Sequence, residues 1–386
     1  MTRLQRLRRD ESGMTFVFVG LGLLAFLASS MLAIDVGMLM TARNQAQNSA
    51  DAGALGGAVA LVFDDFDDRS PSGPAVQSAL AAATANQVMG QAVSVTPADV
   101  EFLNDPTGQP NRVRVTVYRR VDRGNPVSTL VAAYFGVPTA DIAAAATSEV
   151  SPANAATCVK PWAVPDKWDE RQTPAWDEAD TFDVYDNKNK PLPDPDIYIP
   201  ADQSGYTGFS PSPTGPDYGR EILLKAGNPH QAINASHFYP IALPPDSGAA
   251  WYEQNIPGCF NGVMQMGDTV PVEPGNMTGP TTSGTQELID KDPGAYWDPA
   301  ARRVVSAFNP SPRIVVIPVF DPAAYEESRQ HGRLDIEVAN LVGFFIEELQ
   351  GNSVLGRIVP MTGLIRNNSG GPAPAGSFLK AIRLVQ

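Results

Sequence analysis

The sequence predicts an α+β protein in which an N-terminal transmembrane helix continues into a long helix with a small α+β module, followed by a β-rich C-terminal domain. Three observations carry that expectation. Residues 14–34, "MTFVFVGLGLLAFLASSMLAI", run for twenty-one positions without a charge. Small side chains then recur every four residues from Ala42 to Ala58. Beyond residue 92, alternating and β-branched runs take over, divided by many of the chain's 35 Pro and 33 Gly.

The uncharged run is long enough to cross a bilayer, because about 1.5 Å per residue covers a hydrocarbon core of roughly 30 Å. Arg3, Arg6, Arg8 and Arg9 stand directly before it. Such a cluster stays in the cytoplasm by the positive-inside rule, which puts everything after Asp35 on the other side. A cleaved secretory signal shares the basic start, and "ASS" at Ala28 to Ser30 offers small residues for cleavage. Its apolar centre is usually only about 7–15 residues, however, so length favours an anchor. The expected organisation is a cytoplasmic basic N-terminus at 1–13, a transmembrane helix at 14–34, the α+β module at 35–150 and an extracytoplasmic β-rich, Pro/Gly-rich domain at 151–386. The chain carries a net charge of −14, and its basic start makes the exported part more negative still. That balance argues against nucleic acid or an anionic lipid surface as a partner of the bulk.

From Thr41 the chain still reads as helix, with no Pro before Pro71 and with Ala, Gln, Leu and Met dominant. Ala42, Ala46, Ala50, Ala54 and Ala58 fall at four-residue steps, and Gly53 with Gly57 makes a second such pair. Residues so spaced share one helix face, and a face of Ala and Gly admits another backbone where Leu or Phe would hold it away. Two uses of that face are open, the sheet of the same module or a neighbouring helix. Asn44, Gln47, Asn48 and Asp51 form a polar stripe elsewhere on the helix. An end is expected near Phe63, where "DDFDDRSPSGP" begins. "PAVQSALAAATANQVMGQA" reads as a second helix with Pro in its first turn. "ADVEFLN" and "NRVRVTVYRRV" read as strands, the latter setting Val113, Val115 and Val117 against Arg112, Arg114 and Thr116. "VSTLVAAYFG" reads as a short helix ending at Gly136, and "ADIAAAATSEV" as a closing strand.

The texture changes at residue 151. All five Trp lie between Trp162 and Trp297, few windows keep a period, and "ELIDKDPGAYW" holds one short helical turn. The last stretch offers four strands, "RIVVIPVFD", "RLDIEVANLVGFFIEEL", "SVLGRIVPMTGLIR" and "SFLKAIRLV", with Pro318 placing the first at an edge or a bulge. Cys158 and Cys259 are the two cysteines. Their even count and exported side favour a disulfide over two buried free thiols, which for a loop of about a hundred residues adds roughly 4–5 kcal/mol in the chain-entropy treatment.

Signals of chemistry are scarce, and no cofactor is expected. The three His form no HExxH or His/Cys cluster, and neither a GxSxG elbow nor a GxxxxGKS/T loop occurs. Carboxylate pairs such as Asp194 with Asp196 and Asp290 with Asp292 read as turn formers or solvated faces. "DVYDNKNKPLPDPD" is rich in oxygen ligands, but Lys188 and Lys190 stand where an EF-hand needs oxygen, which leaves only an irregular calcium site open. "DRSPS", Asp68 to Ser72, fits the metal-holding DxSxS pattern of von Willebrand factor type A domains. It lacks the apolar strand before the Asp and contains Pro71, so it reads as a turn.

With Gly13 just before the span, Asp35 and Gly37 at its outer end, Arg43 shortly after and "NQAQNSADAGALGGA" beyond, residues 11–60 resemble the N-terminal segment of TadG-like proteins of Tad (Flp-type) pilus systems. The family pattern is a Gly just before the span, D-x-G at its outer end, an Arg a turn or two later and an "LQNAADAAALAAA"-like run. Here Gly13, Asp35 with Gly37, Arg43, Gln47 with Asn48, Ala50 with Asp51, and Ala54 with Leu55 match it. Gly53, Gly56 and Gly57 replace alanines, which keeps close packing but lowers helix propensity. Prepilins carry a Glu five residues after the Gly, whereas Gly13 is followed there by Phe18.

The resemblance implies a non-catalytic component of pilus assembly, or of the related secretion apparatus, in the bacterial inner membrane. Its partners would be pseudopilins and the inner-membrane platform of the same machinery. A surface adhesin with an acidic ligand-binding domain is the alternative, and an extracytoplasmic hydrolase would need a carboxylate pair that the sequence does not reveal.

Overall fold

The computed structural model describes residues 12–64, 68–106, 108–172, 176–210, 212, 215–308, 310–332, 334–366 and 373–385. Arg3, Arg6, Arg8 and Arg9 lie outside the described residues. Helix α1 (Ser12–Phe63) runs unbroken for 52 residues, about 78 Å at 1.5 Å per residue. Its first part is apolar all round, with Phe16 82%, Phe18 68% and Phe26 69% exposed. This is the one helix among the described residues long and apolar enough to cross a membrane, which supports single-pass anchoring.

Past residue 41 the same helix becomes the centre of a module. Helix α2 (Pro74–Ala85) starts with Pro in its first turn, where a missing N–H costs nothing. It lays Ala75, Ala79 and Ala83 against α1, one face at four-residue steps. The chain then forms β1 (Val100–Leu103), β2 (Arg112–Arg119) and β3 (Ile142–Pro152), paired antiparallel in that order. Val113, Val115 and Val117 are fully buried on the side facing α1, as their alternation with polar residues requires. Between β2 and β3, a ribbon of Val127–Ser128 and Thr139–Ala140 carries a 3₁₀ turn, Ala132–Phe135, closed by Gly136 at φ 84°.

The second domain contributes β4 (Trp162–Pro165), β5 (Glu221–Ala226), β6 (His237–Pro240), α3 (Ala249–Asn255), β7 (Thr269–Pro271), α4 (Thr278–Asp290), β8 (Ile314–Phe320), α5 (Pro322–Gln330), β9 (Asp335–Gln350) and β10 (Ser353–Val359). The sheet order is β7-β9-β8-β4-β6-β5-β10, and β10 pairs back onto β9. A 16-residue strand makes this closure possible. Its earlier residues ladder with β8 and its later ones with β10, across a bulge at Ile346/Glu348. The result is a barrel-like sheet buried on both faces: Trp162, Phe238 and Phe344 lie on one, and Tyr239 and Phe320 lie on the other against Tyr325 of α5, each at most 1% exposed. Cys158 and Cys259 are joined in a disulfide, Cα atoms 4.4 Å apart, tying the residues before β4 to those after α3.

Of the edge or bulge expected at Pro318 the structure takes the bulge: β8 is flanked by β9 and β4, and its ladder to β9 shifts register at Val319/Phe320. Two features differ from expectation. Instead of one short turn, α4 has 13 residues, because Thr281, Gly284, Thr285 and Leu288 bury one stripe and tertiary packing overrides weak propensity. The last strand, β11 (Lys380–Val385), leaves the barrel and pairs with β3, so the module's sheet is β11-β3-β2-β1. Glu149 stitches that junction, accepting Arg112 Nε at 2.7 Å and an Arg383 guanidinium N–H at 2.9 Å. Burial raises its pKa, but bonds from Ser151, Arg383 and Arg112 outweigh that and hold it below the usual carboxylate range.

Candidate functional site

The stretch of α1 from Asp35 to Phe63 is where the apolar anchor meets the folded body. Ala42, Ala46, Ala50, Ala54 and Ala58 are each at most 1% exposed. A Cβ built on Gly57 would lie 2.8 Å from Val113 Cγ1 and 3.3 Å from the Ala75 carbonyl oxygen. One on Gly53 would lie 3.0 Å from Ala83 Cβ and 3.1 Å from Val115 Cγ1. The small face is therefore occupied from within, by α2 on one flank and by β2 and β3 on the other.

Hydrogen bonds fix the seat. Ser148 Oγ, fully buried on β3, donates to the Ala54 carbonyl at 2.6 Å, a back-bond that a close approach of strand to helix permits. Gln47 Nε2 donates to the Ala145 carbonyl and to Asp51, and Gln45 Oε1 accepts from the Met89 N–H. The stripe of Asn44, Gln47 and Asn48 otherwise faces outward. At the far end, Tyr218 Oη in the second domain reaches the Phe63 carbonyl at 3.5 Å.

Asp35 behaves unlike a solvated terminus of the span. Only 3% exposed, it turns both oxygens onto backbone N–H groups of the turn between β2 and β3. Leu130 donates at 2.9 Å, Val131 at 3.0 Å and Ala132 at 2.6 Å. The carboxylate thus caps the first N–H groups of the 3₁₀ turn, as an N-cap residue would, but from another element. Sequence reasoning missed these partners, which lie 95 to 97 residues away. It also missed that Leu130, Tyr134, Phe135 and Val137 stay exposed around that turn; the only signal was an uncharged run, "VSTLVAAYFGVPTA".

Carboxylates elsewhere act as local staples. In the oxygen-rich stretch, Asp186 accepts the Lys188 and Lys190 N–H groups, and Asp196 those of Arg171 and Asp183. Asp68 accepts the Ser70 N–H, which makes "DRSPS" a turn. Asp166 is fully buried under the Tyr198 and Tyr206 hydroxyls and the Phe209 N–H, and burial pushes its carboxyl up to about 6. A shallow cleft of about 300 Å³ is lined by Lys167, Trp168, Asp169, Glu170, Trp176 and Thr207. Its polar groups are committed internally: Lys167 pairs with Asp217 at 3.3 Å, and Glu170 accepts Trp168 Nε1 at 3.0 Å. Among the described residues, no group of three or more His, Cys, Asp or Glu side chains is placed to hold a metal ion.

No curated protein and no solved structure matches the chain. Residues 13–60 match the family described as putative Flp pilus-assembly TadE/G-like, and this chain carries that segment, in keeping with a TadG-like protein.

Proposed function

We propose that the protein is a membrane-anchored, non-catalytic component of Tad/Flp-type pilus assembly, acting through contacts with other proteins of that machinery. One observation carries the reading. The family segment is a single helix whose first half is bare and apolar and whose second half is the core of a folded module. Anchor and body are thus one stiff piece, as a part that must hold a fixed position relative to a membrane requires. The internally committed carboxylates described above support a structural role over hydrolysis. In this reading the N-terminus is cytoplasmic, the anchor lies in the bacterial inner membrane, and the module and barrel face pseudopilins and the inner-membrane platform outside it.

The test exchanges residues 1–34 for a cleavable secretory signal in the native strain. Alkaline extraction should release the exchanged body and retain the full chain, and pili should fail to assemble around the released form. Normal piliation with a folded, freely soluble body would overturn the proposal.

A further inference from the structure

Exposed apolar side chains on α1 do not stop at Asp35. Val36 is 43% and Met40 64% exposed, and after Asp35 the next charged residue along the helix is Arg43. At about 1.5 Å per residue, Met40 lies roughly 7.5 Å beyond Asp35. Asp35 therefore sits within the apolar stretch, at the edge of the zone where lipid meets water. A carboxylate there is costly unless donors surround it. The donors are the N–H groups of residues 130–132, which pins the 128–138 turn to the same level as the edge of the bilayer.

That turn has the composition of a membrane-seated element. Leu130 is 59% exposed, Tyr134 89%, Phe135 76% and Val137 52%. No charge occurs from Val127 to Ala140 in a chain of net charge −14. Its backbone is largely satisfied without water: Thr129 N–H bonds the Pro138 carbonyl, Tyr134 N–H that of Val131, Gly136 N–H that of Ala133 and Val137 N–H that of Ala132. Thr129 Oγ1 adds a bond to the Val137 carbonyl. Internal satisfaction of this kind is what a segment needs to leave water. The 3₁₀ turn rises about 2 Å per residue, so Phe135 stays within roughly 8 Å of Ala132, comparable to the headgroup layer of one leaflet.

We infer that residues 130–137 form a second membrane contact, a monotopic apolar tip seated in the headgroup and acyl boundary beside the spanning helix, on the side that holds the folded body. Leu130, Phe135 and Val137 supply the apolar part, and Tyr134 the ring with a polar end that suits such a boundary. Asp35 is the latch that sets its depth. Because attraction is apolar, it operates on zwitterionic lipid and does not require the anionic surface that the acidic body would repel.

The inference rests on residues 14–34 crossing the bilayer, and one experiment separates the two. The full chain is placed in phosphatidylcholine nanodiscs with single labelled cysteines, Leu32→Cys, Phe135→Cys or Tyr296→Cys, and lipids carrying a nitroxide high on the acyl chain are the quencher. Strong quenching at position 32 and at least half as much at 135, with none at position 296, exposed on a two-stranded ribbon outside the barrel sheet, is expected. Added Asp35→Ala should lower quenching at 135 several-fold while leaving it unchanged at 32. An unquenched label at 32 would overturn the span itself. A quenched 32 with an unquenched 135 overturns the membrane tip, and crosslinking at 135 between copies would identify a second chain as the occupant instead.

Discussion

Replacing Gly57 tests the seat of the anchor helix most directly. In an open helix, Gly→Ala gains about 1 kcal/mol, and Gly37, with nothing within 4 Å of a built Cβ, should be neutral or gain that much. At Gly57 the new Cβ falls 2.8 Å from Val113 Cγ1, about 1 Å inside the optimum carbon separation of roughly 3.5–4.0 Å. Overpacking of that kind costs about 1–3 kcal/mol. Gly57→Ala should therefore end between neutral and about 2 kcal/mol less stable, and Gly57→Leu, with three further carbons against β2, at or beyond the upper end of that range. The assay is urea unfolding of the full chain in detergent, followed in two ways. Far-ultraviolet circular dichroism follows the helices, whereas all five tryptophans lie in the second domain, so their fluorescence follows the barrel. The Gly57 variants should lower the first transition and spare the second. A Gly57→Leu chain whose helical transition matches the wild type would refute contact between α1 and β2.

Three further outcomes follow from the same packing. Replacing Cys158 and Cys259 by Ser should cost the barrel roughly 4–5 kcal/mol, since their loop spans 101 residues; a shift of the tryptophan transition below about 1 kcal/mol would contradict that. Deleting residues 380–386 should destabilise the module by exposing the edge of β3 and unpairing Glu149 from Arg383, and an unchanged helical transition would count against the pairing. Asp166 has a folded-state value near 6, above its unfolded value near 3.8. Between those values the folded state holds a proton that the unfolded state has lost, so this contribution is fully present below about pH 4 and is lost as pH rises through 6. It amounts to about 3 kcal/mol, and Asp196, whose carboxyl burial also raises to about 6, adds a separate contribution of the same sign. The tryptophan midpoint should thus rise from pH 7 to about pH 4.5, less steeply in Asp166→Asn; an equal slope in both chains would rule Asp166 out as its source.

What was legible in the sequence was whatever repeats within a few residues. The apolar run, the four-residue steps of Ala42 to Ala58 and the alternation of Val113, Val115 and Val117 each report a local period, and each maps onto one element. The barrel strands Trp162–Pro165 and His237–Pro240 were illegible because they are short and buried on both faces, at every position in the first and at all but His237 in the second, which leaves no alternation to read. The run Thr278–Asp290 hid its helix behind Thr, Ser and Gly, whose weak propensity is overcome only by packing. The partners of Asp35 and the exposure of Tyr134 and Phe135 depend on contacts almost a hundred residues apart, beyond the reach of any local window. The stripe on α1 announced that something approaches closely, but not whether it belongs to the same chain.

The pairing of β3 with β11 has a consequence in time. Glu149 and Arg383, which meet across that pairing, stand 234 residues apart. The module therefore cannot complete its sheet until the barrel residues that lie between β3 and β11 have been synthesised. Through that interval the edge of β3 is unpaired, an opportunity for misassociation that contacts of high sequence separation commonly create. The barrel, built between the two partners, has every strand it needs before β11 arrives. The order of completion of these two bodies is thus the reverse of their order of synthesis, with the membrane-proximal module sealed by β11 after the barrel.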